Sequence, residues 1–187
     1  MKTPSYEQVI LLHRNWVELM AKLDHDGAQR LVENFNQVNA IAGIRRPHYA
    51  DGEVFEMTLD GDAPKNQPWE MVRRDGYSGE WKHNGPRVKG RQTRRFKWIS
   101  IGYQPNLEAV RTALAPHGKI PEGQWREAVK QMFEPDGKHP RGIADPSWED
   151  PDGRARFPYV ECDGRSDFRW ADGGQGESWR WLVGVGK

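Results

Sequence analysis

The residues best suited to chemistry lie between positions 71 and 100. Arg73, Arg74, Lys82, Arg87, Lys89, Arg91, Arg94, Arg95 and Lys97 fall there, opposed only by Asp75 and Glu80. Clustered Lys and Arg attract phosphate because each neutralised phosphate releases condensed counterions. Trp81, Phe96 and Trp98 interleave with these cations, and Tyr77 is close by. Aromatics in such company favour single strands, since every base has a π face to stack. Glycines at 79, 85 and 90 let the backbone bend or approach a ligand. The stretch 79–98, GEWKHNGPRVKGRQTRRFKW, therefore reads as a basic arm. Phosphate contact is expected from Lys82, Arg87, Lys89, Arg91, Arg94, Arg95 and Lys97, with Trp81 as a stacking platform. On an extended strand, side chains alternate between faces. Arg95 and Lys97 then share one face and Arg94, Phe96 and Trp98 the other, so the cations do not all point one way. The competing reading is a solvated hairpin whose aromatics belong to the core.

From Glu134 to Glu177 the balance reverses, with acids at 134, 136, 145, 149, 150, 152, 161, 163, 167, 172 and 177. The chain as a whole carries a net charge of only +1. Either the two segments face each other and cancel, or each serves a partner. The acidic loop 134–152 offers phosphate-like charge to a basic groove on another protein. The first expectation is thus a non-enzymatic nucleic-acid-associated protein, with DNA or RNA as partner. The second is a protein-binding module, an inhibitor or adaptor of a nucleoprotein complex of the phage- or plasmid-accessory kind.

A third reading is catalytic. Glu80-x-Lys82 follows Asp60 and Asp62 by about 20 residues, with Glu18 and Glu33 further upstream. The arrangement loosely resembles the core of restriction-endonuclease-type nucleases, whose acidic pair holds Mg²⁺ and whose Lys supports the attacking water. That chemistry needs carboxylate oxygens converging on a hard cation beside a phosphate. The triplet departs from the family pattern, because it sits in a Gly-rich turn and no Pro precedes Asp60. Other chemistry fails on spacing. Histidines at 13, 25, 48, 83, 117 and 139 are scattered and Cys162 is the single cysteine, which suits no structural zinc site. Asp150, Asp152 and Gly153 imitate part of a calcium loop, but Trp148 and Tyr159 occupy its first and last positions. The terminal GVGK is no phosphate loop and there is no Gly-x-Ser-x-Gly. No catalytic residue, metal or cofactor is expected.

The elements that position these residues follow from periodicity. Val9, Leu12, Trp16, Leu19 and Leu23 recur at helical spacing, as do Ala28, Leu31, Phe35, Val38 and Ile41. Together they predict a helical hairpin over 1–44. The region 49–103 reads as strands around the arm: EVFEMTL, WEMVRR and RRFKWISIGY. Asn106 caps a helix over LEAVRTALA that stops near Gly118, and Pro121 opens another containing Trp125, Val129, Met132 and Phe133. Residues 134–156 are too rich in Pro, Gly and Asp for regular structure and read as the acidic loop. The region 157–187 reads as a meander of FPYVEC, DFRWA and SWRWLVGV. The expected fold is α+β in a single domain over 1–187: the helical hairpin packed on a small, mostly antiparallel sheet, with two central helices and the terminal three-strand meander.

Nine Trp, six Phe and five Tyr supply enough apolar surface for a core. No apolar run approaches the roughly 20 residues that span a bilayer. With no export signal or disulfide framework legible, the expected setting is the cytoplasm, away from membranes.

Overall fold

The computed structural model describes residues 49–186, which belong to the compact unit Arg46–Lys187. The helical hairpin expected over 1–44 lies outside the described residues. Among the described residues no helix is long and apolar enough to cross a membrane.

The dominant element is one eight-stranded mixed sheet. Its strands are β1 (Val54–Asp60), β2 (Lys82–His83), β3 (Arg91–Ile99), β4 (Arg141–Gly142), β5 (Trp148–Glu149), β6 (Ala155–Val160), β7 (Ser166–Trp170) and β8 (Arg180–Gly184). The order is β1-β3-β8-β4-β6-β5-β2, and β7 pairs with β6 off this path. Three α-helices accompany it: α1 (Pro68–Arg74), α2 (Leu107–Leu114) and α3 (Trp125–Met132). The expected α+β fold, with a small, mostly antiparallel sheet and a separate terminal meander, is therefore wrong: the described residues are mostly one mixed sheet. β6 and β7 do form a hairpin, but β8 leaves β7 and inserts between β3 and β4, pairing parallel with β4. The reason lies in its side chains. Trp181, Leu182 and Val183 are all fully buried, so both faces of β8 need cover. A strand apolar on both faces belongs inside a covered sheet, where its neighbours shield it.

Each face of the sheet carries its own core. On one, Phe96, Trp98 and Leu182 meet Trp125, Val129 and Phe133 around α3. On the other, Ile99, Trp181 and Val183 meet Leu107, Val110 and Leu114 of α2. Neighbouring residues of β3 and β8 thus serve opposite cores, as the period of two requires. Each large buried side chain contributes roughly 1.5–3 kcal/mol. Gly142 matters here: a Cβ there would run into the Trp181 ring, which stacks on Trp179.

The helices show how local signals compete. Asn106 caps α2 by accepting from the Ala109 N–H at 2.9 Å. Pro121 lies ahead of α3 rather than inside its first turn. WEMVRR, expected as a strand, is helix α1. Pro68 occupies its first position and Gly76 follows it at φ 85°, a start and stop that suit a helix. Met71 and Val72 point into the core while Trp69 is 62% exposed.

The segment expected as an unstructured acidic loop is also corrected. It contributes β4 and β5, and Arg141, Gly142, Ile143, Ala144, Asp145, Trp148 and Asp150 are buried.

Candidate functional site

The basic arm is not a free hairpin. Its midpoint, Val88, is buried, and the Val88 N–H donates to the Gln124 side chain at 2.7 Å. Gln124 in turn donates to the Asn66 carbonyl at 2.7 Å, so one fully buried amide ties the arm to α3 and to the chain before α1. Phe96 and Trp98 belong to the core, at 0% and 1% exposure. Of the arm's aromatics only Trp81 reaches a surface, half-buried among Tyr77 and Phe168. Its ring also lies 5.8 Å from the Arg156 guanidinium.

The seven expected phosphate contacts divide into two groups. Arg94 is committed: it donates to both carboxylate oxygens of Glu122 at 2.7 and 3.1 Å, and its guanidinium lies 5.5 Å from the Trp125 ring. Burial alone would raise the Glu122 pKa, but Arg94 outweighs it and holds the carboxyl below its usual range. Lys82 is bonded to Glu149 at 2.9 Å, the one ion pair among the described residues that joins the arm to the acidic segment. Arg87, Lys89, Arg91, Arg95 and Lys97 have no ion-pair partner among the described residues. Arg87, Lys89, Arg91 and Arg95 are exposed and Lys97 half-buried. Arg91 and Arg95 stand opposite Asp60 and Glu56 across the β1–β3 ladder, on the face away from Phe96.

The arm residues converge with one that the sequence reading missed. A groove of about 450 Å³ is lined by Trp69, Trp81, Lys82, His83, Asn84, Arg87 and Trp148, among others. Trp69 projects from α1 and the Arg87 guanidinium lies 6.0 Å from its ring centroid. Gly85 shapes the floor, because a Cβ there would collide with the Ser147 side chain. His83 packs edge-on to Trp148 at 4.4 Å, and its Nε2 is buried without a hydrogen-bond partner. Burial pushes the His83 pKa below its usual 6.5, and Arg87 adds to this against the opposing charge of Asp145. The neutral imidazole is thereby favoured. The groove thus offers an exposed indole under a guanidinium that has no ion pair among the described residues, and the exposed amide of Asn84. Trp69 was missed because WEMVRR was expected as a strand, whereas it forms α1 and turns Trp69 outward. The flanking Pro68 and Gly76 were the signal that could have found it.

The other expected sites fare differently. Lys82 faces Glu149, and no group of three or more His, Cys, Asp or Glu among the described residues is arranged to hold a metal ion. Glu18 and Glu33 lie outside the described residues. The acidic segment is largely consumed internally. Asp136 accepts from the His139 and Lys138 backbone N–H groups. Burial opposes this, yet these bonds and Arg141 hold the Asp136 carboxyl well below its usual range. Asp150 binds Arg156 at 2.7 Å, and Asp145 accepts from Gly123 and Ser147. Glu134 and Asp152 remain exposed. No family model, curated protein or solved structure matches this chain.

Proposed function

We propose that the protein binds single-stranded nucleic acid, one base stacking on Trp69 while neighbouring phosphates meet Arg87, Lys89 and Arg91. The observation that carries this reading is the exposed Trp69 indole with an unpaired arginine over it. A base laid on an aromatic side chain gains about 1–3 kcal/mol, whatever its identity. A duplex hides its base faces, so an exposed ring favours unpaired strands. Arg87, Lys89 and Arg91 are exposed at alternate positions. Gly90, at φ 64°, bends the chain between Lys89 and Arg91, so the three cations stand on a turn leading into β3. Lys82 is an accessory contact, since phosphate competes there with Glu149. Arg95 and Lys97 extend the cationic face of β3, and Trp81 forms groove wall rather than the stacking platform. The activity is binding without catalysis, in the cytoplasm, with DNA or RNA as the ligand.

Fluorescence anisotropy of labelled oligo-dT and oligo-U against the full chain tests it. Binding at low salt should weaken linearly in log[salt], with a slope that reports the phosphates contacted. Absence of binding to either strand at low salt, or binding that Trp69→Ala leaves unchanged, refutes the proposal.

A further inference from the structure

A second, larger cleft of about 790 Å³ shares no lining residue with the Trp69 groove. Its origin is a split in the sheet. β8 pairs with β3 only over Phe96–Ile99. Beyond Gly184 the chain leaves β3, with a last bond from the Val185 N–H to the Arg95 carbonyl at 2.9 Å. Gly184, opposite Phe96, gives its own backbone bonds to Lys119, at 2.8 and 3.1 Å. The first half of β3 therefore has β1 on one edge and open space on the other. Residues 119–122 and 144–147 wall that space. Its volume falls within the roughly 300–1,000 Å³ typical of small-molecule sites.

The charges around the cleft are unequally committed. Both oxygens of Glu122 are taken by Arg94. Both oxygens of Asp145 accept bonds, one from the Gly123 N–H at 2.7 Å and one from Ser147. Arg111 is paired with Glu108 at 3.0 Å. Arg95 and Lys119 are exposed and have no ion pair among the described residues. Glu56, opposite Arg95 on β1, is the one lining carboxylate without a bonded partner among the described residues. Two uncommitted cations thus face one uncommitted acid at the mouth. Behind them the wall is apolar, with Ile120, Pro146 and Val185 half-buried.

We infer that this cleft binds a small amphipathic anion, its apolar body against Ile120, Pro146 and Val185 and its acidic group met by Arg95 and Lys119. Such a ligand satisfies both features, since apolar surface leaves water while a charge-assisted bond replaces hydration of the cations. The cleft does not include Trp69, although Arg95 belongs both to it and to the cationic face of β3.

The probe is 1-anilinonaphthalene-8-sulfonate titrated into the full chain, compared with the uncharged N-phenyl-1-naphthylamine. The expected result is one saturable site with blue-shifted emission and much weaker binding of the neutral dye. Arg95→Glu with Lys119→Glu should weaken the anionic dye about tenfold or more, as loss of charged hydrogen bonds does. Thr93→Trp, which adds bulk to the lining without changing charge, should weaken binding, and Trp69→Ala should leave it unchanged. Should the double variant not fold, Lys119→Ala at an exposed side chain must still cost about threefold or more. Non-saturable emission, equal affinity for both dyes, indifference to the charge variants, or loss through Trp69→Ala alone overturns the inference.

Discussion

Arg126 and Arg87 stand at two extremes of what a fold does with a guanidinium. Arg126 is fully buried and bonded on every side. It donates to Asp75, to the Asp167 carbonyl at 3.2 Å, and through two nitrogens to Glu127 at 2.8 and 3.1 Å. Glu127 is held in turn by Arg74 at 2.7 Å, and Asp75 by Ser166 at 2.7 Å. The Arg126 guanidinium also lies 4.8 Å from the Phe168 ring. This cluster joins the end of α1, the start of α3 and β7. Arg87 is exposed, and among the described residues its guanidinium meets only the Trp69 ring. Burying a charge costs so much that the fold must surround it with partners. A cation that folding leaves in water carries no such obligation, and its partner is free to come from outside. Local charge density does not distinguish these cases, whereas commitment to a partner does.

The sharpest way to break this contrast is Arg126→Met. Asp75 would remain buried without its cation and Glu127 with Arg74 alone, at an expected cost of about 3–5 kcal/mol. Urea denaturation checks it, and a loss below about 1 kcal/mol would mean that buried arginines here are not structural. Trp69→Ala should do the converse: single-strand affinity falls by about 1–3 kcal/mol, while the urea midpoint holds. Arg91 and Arg94 then provide a matched pair within β3. Arg91→Ala should reduce the salt slope of binding by about one. Arg94→Ala should leave the slope alone and lower stability instead, because its charge is already used by Glu122. A flattened slope for both would erase the distinction between committed and free cations.

Acid should act on the structural set. Burial by itself would raise the Glu127 pKa, but the Arg126 charge, supported by Arg74, holds it below its usual 4.5. A carboxyl whose folded pKa lies below its unfolded value stabilises above the unfolded value. Stability from Glu127 is therefore complete above 4.5 and is lost as the pH falls through its folded pKa. Denaturation midpoints measured from pH 6 downward should drop across that window. The smallest effect is expected from Lys82→Ala. Its pair with Glu149 is exposed, and such pairs contribute little. The thermal midpoint should not move measurably.

Much of the local structure was legible in the residues themselves. The alternation in EVFEMTL announced β1, with Phe55, Met57 and Leu59 inward and Glu56 and Thr58 outward. The opposite facing of Arg94 and Arg95 followed from their places in the same strand. Asn106 marked the start of α2. These signals travel only a few residues, and a single sequence carries them intact. WEMVRR misled because two periods fit so short a run. Pro68 and Gly76, which decide for helix, lie just outside it. The terminal meander misled because turn-rich links suggest neighbours, whereas β8 went where both its apolar faces could be covered.

The sequence by itself determined which stretch concentrates cations, which side chains alternate and where helices begin. Only the tertiary structure decided which cations remain available. Lys82 meets Glu149 across 67 positions, Arg126 meets Asp75 across 51, and Arg94 meets Glu122 across 28. Charge is a local property of composition, but neutralisation depends on distance in space, which chain folding sets. The proposed grip therefore rests on Arg87, Lys89 and Arg91 beside Trp69, a residue that reaches the surface only because its helix turns it outward.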